Sequence, residues 1–146
     1  MYTIGEISEM FNLPIPTLRY YDKEGLLPDL QRDPSGIRRF NEQNIETLRL
    51  IECLKKSGMS IKDIKEFMRW CSLGDKTIKQ RYNMFLKQKE QIESEMKELE
   101  KALDMIKYKC WYYEEAMKDG NEKRVKTMTP DQLPKEIKTL FEQAHQ

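Results

Sequence analysis

From Ile78 to Met117 one stripe of residues recurs at helical spacing: Ile78, Tyr82, Phe85, Lys89, Ile92, Met96, Leu99, Leu103, Ile106, Cys110, Tyr113 and Met117. The steps alternate between four and three without interruption, and every member except Lys89 is apolar or aromatic. A mean step of about 3.5 residues keeps such a stripe on one side of a long helix, which is the pattern of a coiled coil. The residues between are mostly Lys, Glu and Gln, so the remaining surface is solvated. No second heptad run exists in the chain to cover the stripe. The simplest partner is the same helix of another copy, which makes a homodimer the expectation. Lys89 inside the seam would fix register or orientation at some expense in stability. A helix of this length spans roughly 60 Å at 1.5 Å per residue, enough to set the separation of two N-terminal heads.

The first forty residues read as two short helices, a tight turn between them, and a small hairpin. Thr3 and Glu6 form a T-x-x-E capping box that starts a helix. Ile4, Ile7, Met10 and Phe11 give that helix one apolar face. Asn12-Leu13-Pro14 ends it, because Pro14 lacks a backbone donor and pushes Leu13 out of the helical region. Pro16 fits only in the first turn of the next helix, predicted over Ile15 to Glu24, with Gly25 as its C-terminal cap. On it Leu18 and Leu26 are read as inward, Thr17, Arg19, Tyr21 and Lys23 as outward, and Tyr20 as core. Asp33-Pro34-Ser35-Gly36 then carries the residues of a type I turn between short strands around Leu30–Arg32 and Ile37–Phe40. Arg32, Arg38 and Arg39 cluster on this hairpin, as in a loop that grips phosphates beside a recognition helix.

In order and with unbroken spacing, I-G-E near the start, T-L-R-Y-Y, G-L-L-P and the wing G-I-R-R-F resemble the N-terminal domain of the MerR family of bacterial transcription regulators. Ile37 stands where the family usually has tyrosine, so any contact made by that hydroxyl is missing. The resemblance implies a mainly α fold: a winged helix-turn-helix DNA-binding domain, a long dimerisation helix and a short C-terminal helix. Carried over by position, Arg19, Tyr21 and Arg38 are the leading candidates for DNA contact, with Thr17, Lys23 and Arg39 behind them. The implied partners are double-stranded promoter DNA, a second copy of the chain and, through the promoter, RNA polymerase. The implied mechanism is bending and untwisting of the promoter.

Charge tempers the picture without reversing it. The chain has 26 Lys and Arg against 25 Asp and Glu, a net of +1. Within the first forty residues Arg19, Lys23, Arg32, Arg38 and Arg39 face Glu6, Glu9, Asp22, Glu24, Asp29 and Asp33. A DNA-binding role therefore needs the cations gathered on one face. No apolar run approaches the ~18 residues of a membrane span, and Met1-Tyr2-Thr3 opens directly into the capping box, so neither a membrane segment nor a signal peptide is expected. Three cysteines without paired spacing point to reduced thiols in a cytoplasmic protein. The single histidine, His145, leaves no nucleophile–base pair, and no phosphate loop is present, so an enzyme is not expected and no cofactor is implied.

Beyond the wing, Asn41 caps a third helix through Ser57, and Ser60 caps a fourth on which Ile61, Ile64, Phe67, Met68 and Cys71 share a face. The organisation expected is a DNA-binding domain over residues 1–72, the coiled-coil helix over 73–120, and a linker with a short amphipathic helix over 121–146. That last helix, with Leu133, Ile137, Leu140 and Phe141 on one stripe, would dock on the coil. The absence of a C-x-C or C-x₇-C pair argues against a thiolate metal site. Two inputs then remain open. Cys53, in E-C-L-K-K-S-G-M-S-I, resembles the single cysteine of the aldehyde- and electrophile-responsive branch of the family, and Arg49 and Lys56 share its helical face. Its alternative is an inert filler, the role also expected of Cys71 and Cys110. The second input is the cluster of Tyr108, Trp111 and Tyr112, which either forms a pocket for a cationic or flat molecule or packs against the head of another subunit. A coiled-coil adaptor that binds protein instead of DNA is the rival class.

Overall fold

The computed structural model describes residues 1–146, which form two compact units, Met1–Gln88 and Lys89–Gln146. In the first, α1 (Ile4–Phe11) is opened by the reciprocal capping box of Thr3 and Glu6 and closed by Asn12. Asn12 takes a left-handed conformation at φ 53°, one that asparagine tolerates better than most residues. Helix α2 (Ile15–Lys23) follows after three residues, with Pro16 in its first turn. A two-stranded antiparallel wing, β1 (Gln31–Arg32) and β2 (Arg38–Arg39), pairs Gln31 with Arg39 and Arg32 with Arg38. Tyr2 extends this edge by exchanging backbone hydrogen bonds of 2.7 and 2.9 Å with Phe40, which ties the N-terminus to the wing.

Helix α3 (Glu42–Lys56) starts at a second reciprocal box, in which Asn41 and Asn44 accept each other's backbone N–H groups. Helix α4 (Ile61–Ser72) starts at Ser60, whose side chain accepts from Asp63. Ile7, Leu18, Tyr21, Leu26, Leu27, Phe40, Ile45, Leu48, Ile51, Leu54 and Ile64 make one core from the four helices and the segments flanking the wing. One residue of α1 departs from its expected face. Met10 is about half exposed, whereas Ile4 and Phe11 pack on the core.

The larger departure is at the tyrosine pair. Tyr21 is 1% exposed and Tyr20 46%, the reverse of the expectation. At about 100° per residue, Tyr21 lies some 60° from the inward Leu18, while Tyr20 lies nearly opposite. Choosing Leu18 as core already decides which tyrosine is buried.

A short 3₁₀ turn at Gly74–Thr77 leads into the long α5 (Ile78–Asp119), a helix of 42 residues. Thr77 is buried and its hydroxyl bonds the carbonyls of Trp70 and Gly74, while Arg81 reaches back to the Gly74 carbonyl at 2.9 Å. The first turns of α5 pack with the head: the Phe85 ring meets Phe67 edge-on at 5.3 Å, and Gln88 donates to the Ser57 carbonyl at 2.6 Å.

In the second unit, α5 ends at Gly120. The segment expected to be a linker contains α6 (Lys123–Thr127), and Val125 is its buried anchor. The last helix, α7 (Lys135–Ala144), begins later than the Thr129 capping box, which instead serves a 3₁₀ turn at Pro130–Gln132. Val125 packs with Tyr112 and Ala116, and Phe141 meets Tyr108 at 5.2 Å between ring centres. Arg124 holds α6 back on α5 through Asp119 at 2.8 Å and Glu115 at 3.2 Å. The terminal segment therefore docks on the coil helix, and it covers the aromatics on that face. Tyr112 is 7% exposed, and its hydroxyl donates to Glu122 at 2.9 Å. Tyr112, expected to project outward, is thus an internal contact of the same chain, and Tyr108 and Trp111 pack beside it partly buried.

On the opposite stripe of α5 the seam stands uncovered. Met96, Leu99, Leu103, Ile106, Tyr113 and Met117 are all among the exposed large hydrophobic residues. Cys110 of the seam is exposed too, as is Cys71 on α4, so neither cysteine fills a core within one chain.

Candidate nucleic-acid interface

The wing is rigid because one carboxylate organises its turn. Asp33 accepts from the Ser35 hydroxyl at 2.6 Å and from the Ser35 and Ile37 amides, each at 3.0 Å. Gly36 completes the turn at φ 84°, a backbone shape a side chain would strain. These hydrogen bonds, with that of the Ser35 hydroxyl foremost, hold the Asp33 carboxyl below its ordinary range. Arg39 adds an ion pair to Asp33 at 3.3 Å.

A second carboxylate joins wing to helix. Asp22, on α2, receives Arg38 at 2.7 Å and Arg32 at 3.3 Å. Arg32 also donates to the Gly36 carbonyl at 3.1 Å. The wing cannot swing away from α2 without breaking these contacts. Between the two elements runs an open groove lined by Pro16, Arg19, Tyr20, Asp22, Lys23, Arg32 and Arg38. Four cations line it against one anion, and that anion is already shared between two of them. The acidic balance of the N-terminal sequence is therefore not the balance of this groove.

Residue by residue, Arg19 and Lys23 are exposed on the outer side of α2, and Thr17 is half-buried beside them. Arg38 and Arg39 are half-buried on the wing. Tyr21 does not join them. Its hydroxyl donates to Glu52 at 2.7 Å and accepts from Lys55, both on α3. Burial, followed by the Glu52 carboxylate, raises its phenol well above the usual range. Tyr20 takes the outer position and stands on a ridge, because it also lines a second groove with Glu24, Lys62, Lys65 and Arg69. Lys65 of α4 and Glu24, the C-cap of α2, close that groove with a 2.9 Å ion pair. Tyr20 is the groove residue missed in the sequence, while Arg32, grouped there with the wing cations, joins the groove beside it. Tyr20 follows from the register of Leu18.

Cys53 is exposed on α3, outside the arc of Ile45, Leu48, Ile51 and Leu54. Arg49, expected beside it, is paired with Glu46 at 3.3 Å. No cluster of three or more His, Cys, Asp or Glu side chains is placed to hold a metal ion, and no helix is long and apolar enough to cross a membrane.

A cation-lined groove between a short recognition helix and a clamped hairpin wing defines a winged helix-turn-helix protein. Residues 2–70 match the MerR HTH family regulatory proteins, and residues 45–108 match the family described as MerR, DNA binding. An uncharacterized HTH-type transcriptional regulator of Haemophilus influenzae is 40% identical over 91% of this chain and 96% of its own length. The crystal structure of HiNmlR, a MerR family regulator lacking the sensor domain and bound to promoter DNA, superposes with a TM-score of 0.75 at 41% identity. That match covers 84% of this chain and 97% of HiNmlR. A MerR family regulator from Bacillus thuringiensis superposes at 0.67 with 42% identity, over 75% of this chain and 96% of its own. The chain belongs to the MerR family of transcription regulators.

Proposed function

We propose that this protein is a homodimeric, sequence-specific regulator that grips promoter DNA with the α2–wing groove of each copy. The observation that carries the reading is the gathering of Arg19, Lys23, Arg32 and Arg38 around one groove with Tyr20 on its edge. The complex of HiNmlR with promoter DNA supports it at 41% identity. In this reading Arg19, Tyr20 and Lys23, with Thr17 behind them, meet the major groove, and Arg38 and Arg39 meet flanking phosphates. Tyr21 orients α2 from beneath.

Two heads on an inverted repeat distort the base pairs between half-sites, and the altered bend and twist is what RNA polymerase meets. Arg19→Ala and Lys23→Ala should each weaken operator binding while helix content stays unchanged. In anisotropy titrations each should lower affinity for the operator more than for unrelated DNA, whereas Arg39→Ala, on the phosphate side, should flatten the salt dependence by about one phosphate's worth. Undiminished affinity in both variants removes α2 from the interface and favours the adaptor class.

The input is assigned to Cys53, whose thiol is exposed on α3. Since Cys71 and Cys110 are exposed as well, alkylation alone does not single it out. The deciding comparison is a reporter promoter treated with an aldehyde. Cys53→Ser should abolish the response and keep DNA binding, whereas a serine variant that responds like wild type places the sensor elsewhere.

A further inference from the structure

Between α3, α4 and the segment after α2 lies a cavity of roughly 370 Å³, within the range of about 300–1,000 Å³ typical of small-molecule sites. Leu27, Leu50, Phe67 and Met68 give it an apolar wall, and the exposed Cys71 stands at its edge. Asn44 is the one buried polar side chain at the wall, since Asp29 and Gln43 are exposed and Thr47 is half-buried. Asn44 is 2% exposed, and its Oδ1 is committed to the Asn41 N–H at 2.9 Å in the cap of α3. Its Nδ2 makes no hydrogen bond within the chain. No buried side-chain nitrogen or oxygen of the protein is left unpartnered, so the sliver of Asn44 that remains accessible includes this nitrogen. The nearby hydroxyls of Thr47 and Ser72 are already donated, to the carbonyls of Gln43 and Arg69. Asn44 is therefore a fixed donor at the cavity wall with no partner in the chain, open to an acceptor from solvent or from a ligand.

We propose that this cavity in the head binds a neutral, mainly apolar small molecule through one carbonyl oxygen that accepts from the Asn44 side-chain amide. Asp29 lines the cavity and no lysine or arginine does, which disfavours a carboxylate and selects a neutral acceptor. The apolar wall supplies affinity and the buried Asn44 amide sets orientation. The site is separate from the α2–wing groove and from Cys53, and its test does not depend on DNA binding.

Acetophenone and ethylbenzene share one carbon skeleton and differ in the carbonyl. Titrated into the full-length protein, acetophenone should move the side-chain amide resonances of Asn44, and ethylbenzene should bind more weakly and leave them in place. Asn44→Asp keeps the acceptor that caps α3 and removes the donor. Acetophenone affinity should then fall by about five- to tenfold, the loss of one hydrogen bond, while ethylbenzene changes little. Cys71→Trp, at an exposed edge, should fill the cavity and abolish binding of both, and it decides the matter if the Asp variant does not fold. Resonances that stay still with acetophenone, whether water or a second copy fills the cavity, overturn the proposal. So does equal binding of the two compounds, or a Cys71→Trp variant that binds like wild type.

Discussion

Tyr21 uses both of its halves. The ring closes the core beside Leu18, and the hydroxyl ties α2 to α3 through Glu52 and Lys55, with the Lys55 ammonium also 5.0 Å from the ring centre. Tyr21→Phe keeps the packing and strands two polar partners at a half-buried site. Urea unfolding should show a loss of about 1–2 kcal/mol at neutral pH. The pH dependence has a definite sign. In the unfolded chain the phenol releases its proton near pH 10, whereas in the folded protein burial and Glu52 hold the proton on. The contribution is fully present below that pH and is lost progressively as pH rises toward the folded value. The Phe variant should lack this alkaline slope. The same residue marks what the sequence could and could not reveal. The T-L-R-Y-Y motif fixed the helix and its outward arginine. Which tyrosine was buried was also legible, because Leu18 sets the phase, but likeness to a motif was a poorer guide than the 100° step.

At the scale of elements, helices with chemical start and stop signals were readable in advance: the Thr3, Asn41 and Ser60 caps and the glycines after α3 and α5 all mark observed ends. Helix α6 was not, since five residues anchored by the single buried Val125 leave no periodic trace. The clamp of the wing onto α2 was also invisible, because Asp22, Arg32 and Arg38 are distant in sequence and each reads alone as a surface charge. The wing turn itself carries a prediction. Asp33 is held ionised below its ordinary range by the Ser35 hydroxyl and the Ile37 amide. Wing order should therefore persist as pH falls below about 4, where an unfolded aspartate protonates, and should fail as pH passes through the lower folded value. Amide exchange at Ile37 measures it. Asp33→Ala should give fast exchange at every pH while α3 and α4 stay protected.

At the scale of the whole molecule, the exposed seam asks for a partner. Met96, Leu99, Leu103, Ile106 and Met117 leave an apolar stripe far larger than scattered surface residues would. Sedimentation at micromolar concentration should give a dimer. Replacing Leu99 and Leu103 together with Asp should give a folded monomer whose operator affinity collapses, since two half-sites together supply it. A wild-type monomer at that concentration removes the dimer.

The docked tail gives this helix handedness of a social kind. Apolar heptads of this composition do not by themselves count their strands, and stripes of isoleucine and leucine can gather two, three or four helices. Here the far flank of α5 is already taken by Val125 and Phe141 of its own chain, which seal Tyr108, Tyr112 and Ala116. In the proposed dimer the sealed flank would leave the seam as the apolar face through which a second copy is gripped, and two copies match an inverted repeat of two half-sites.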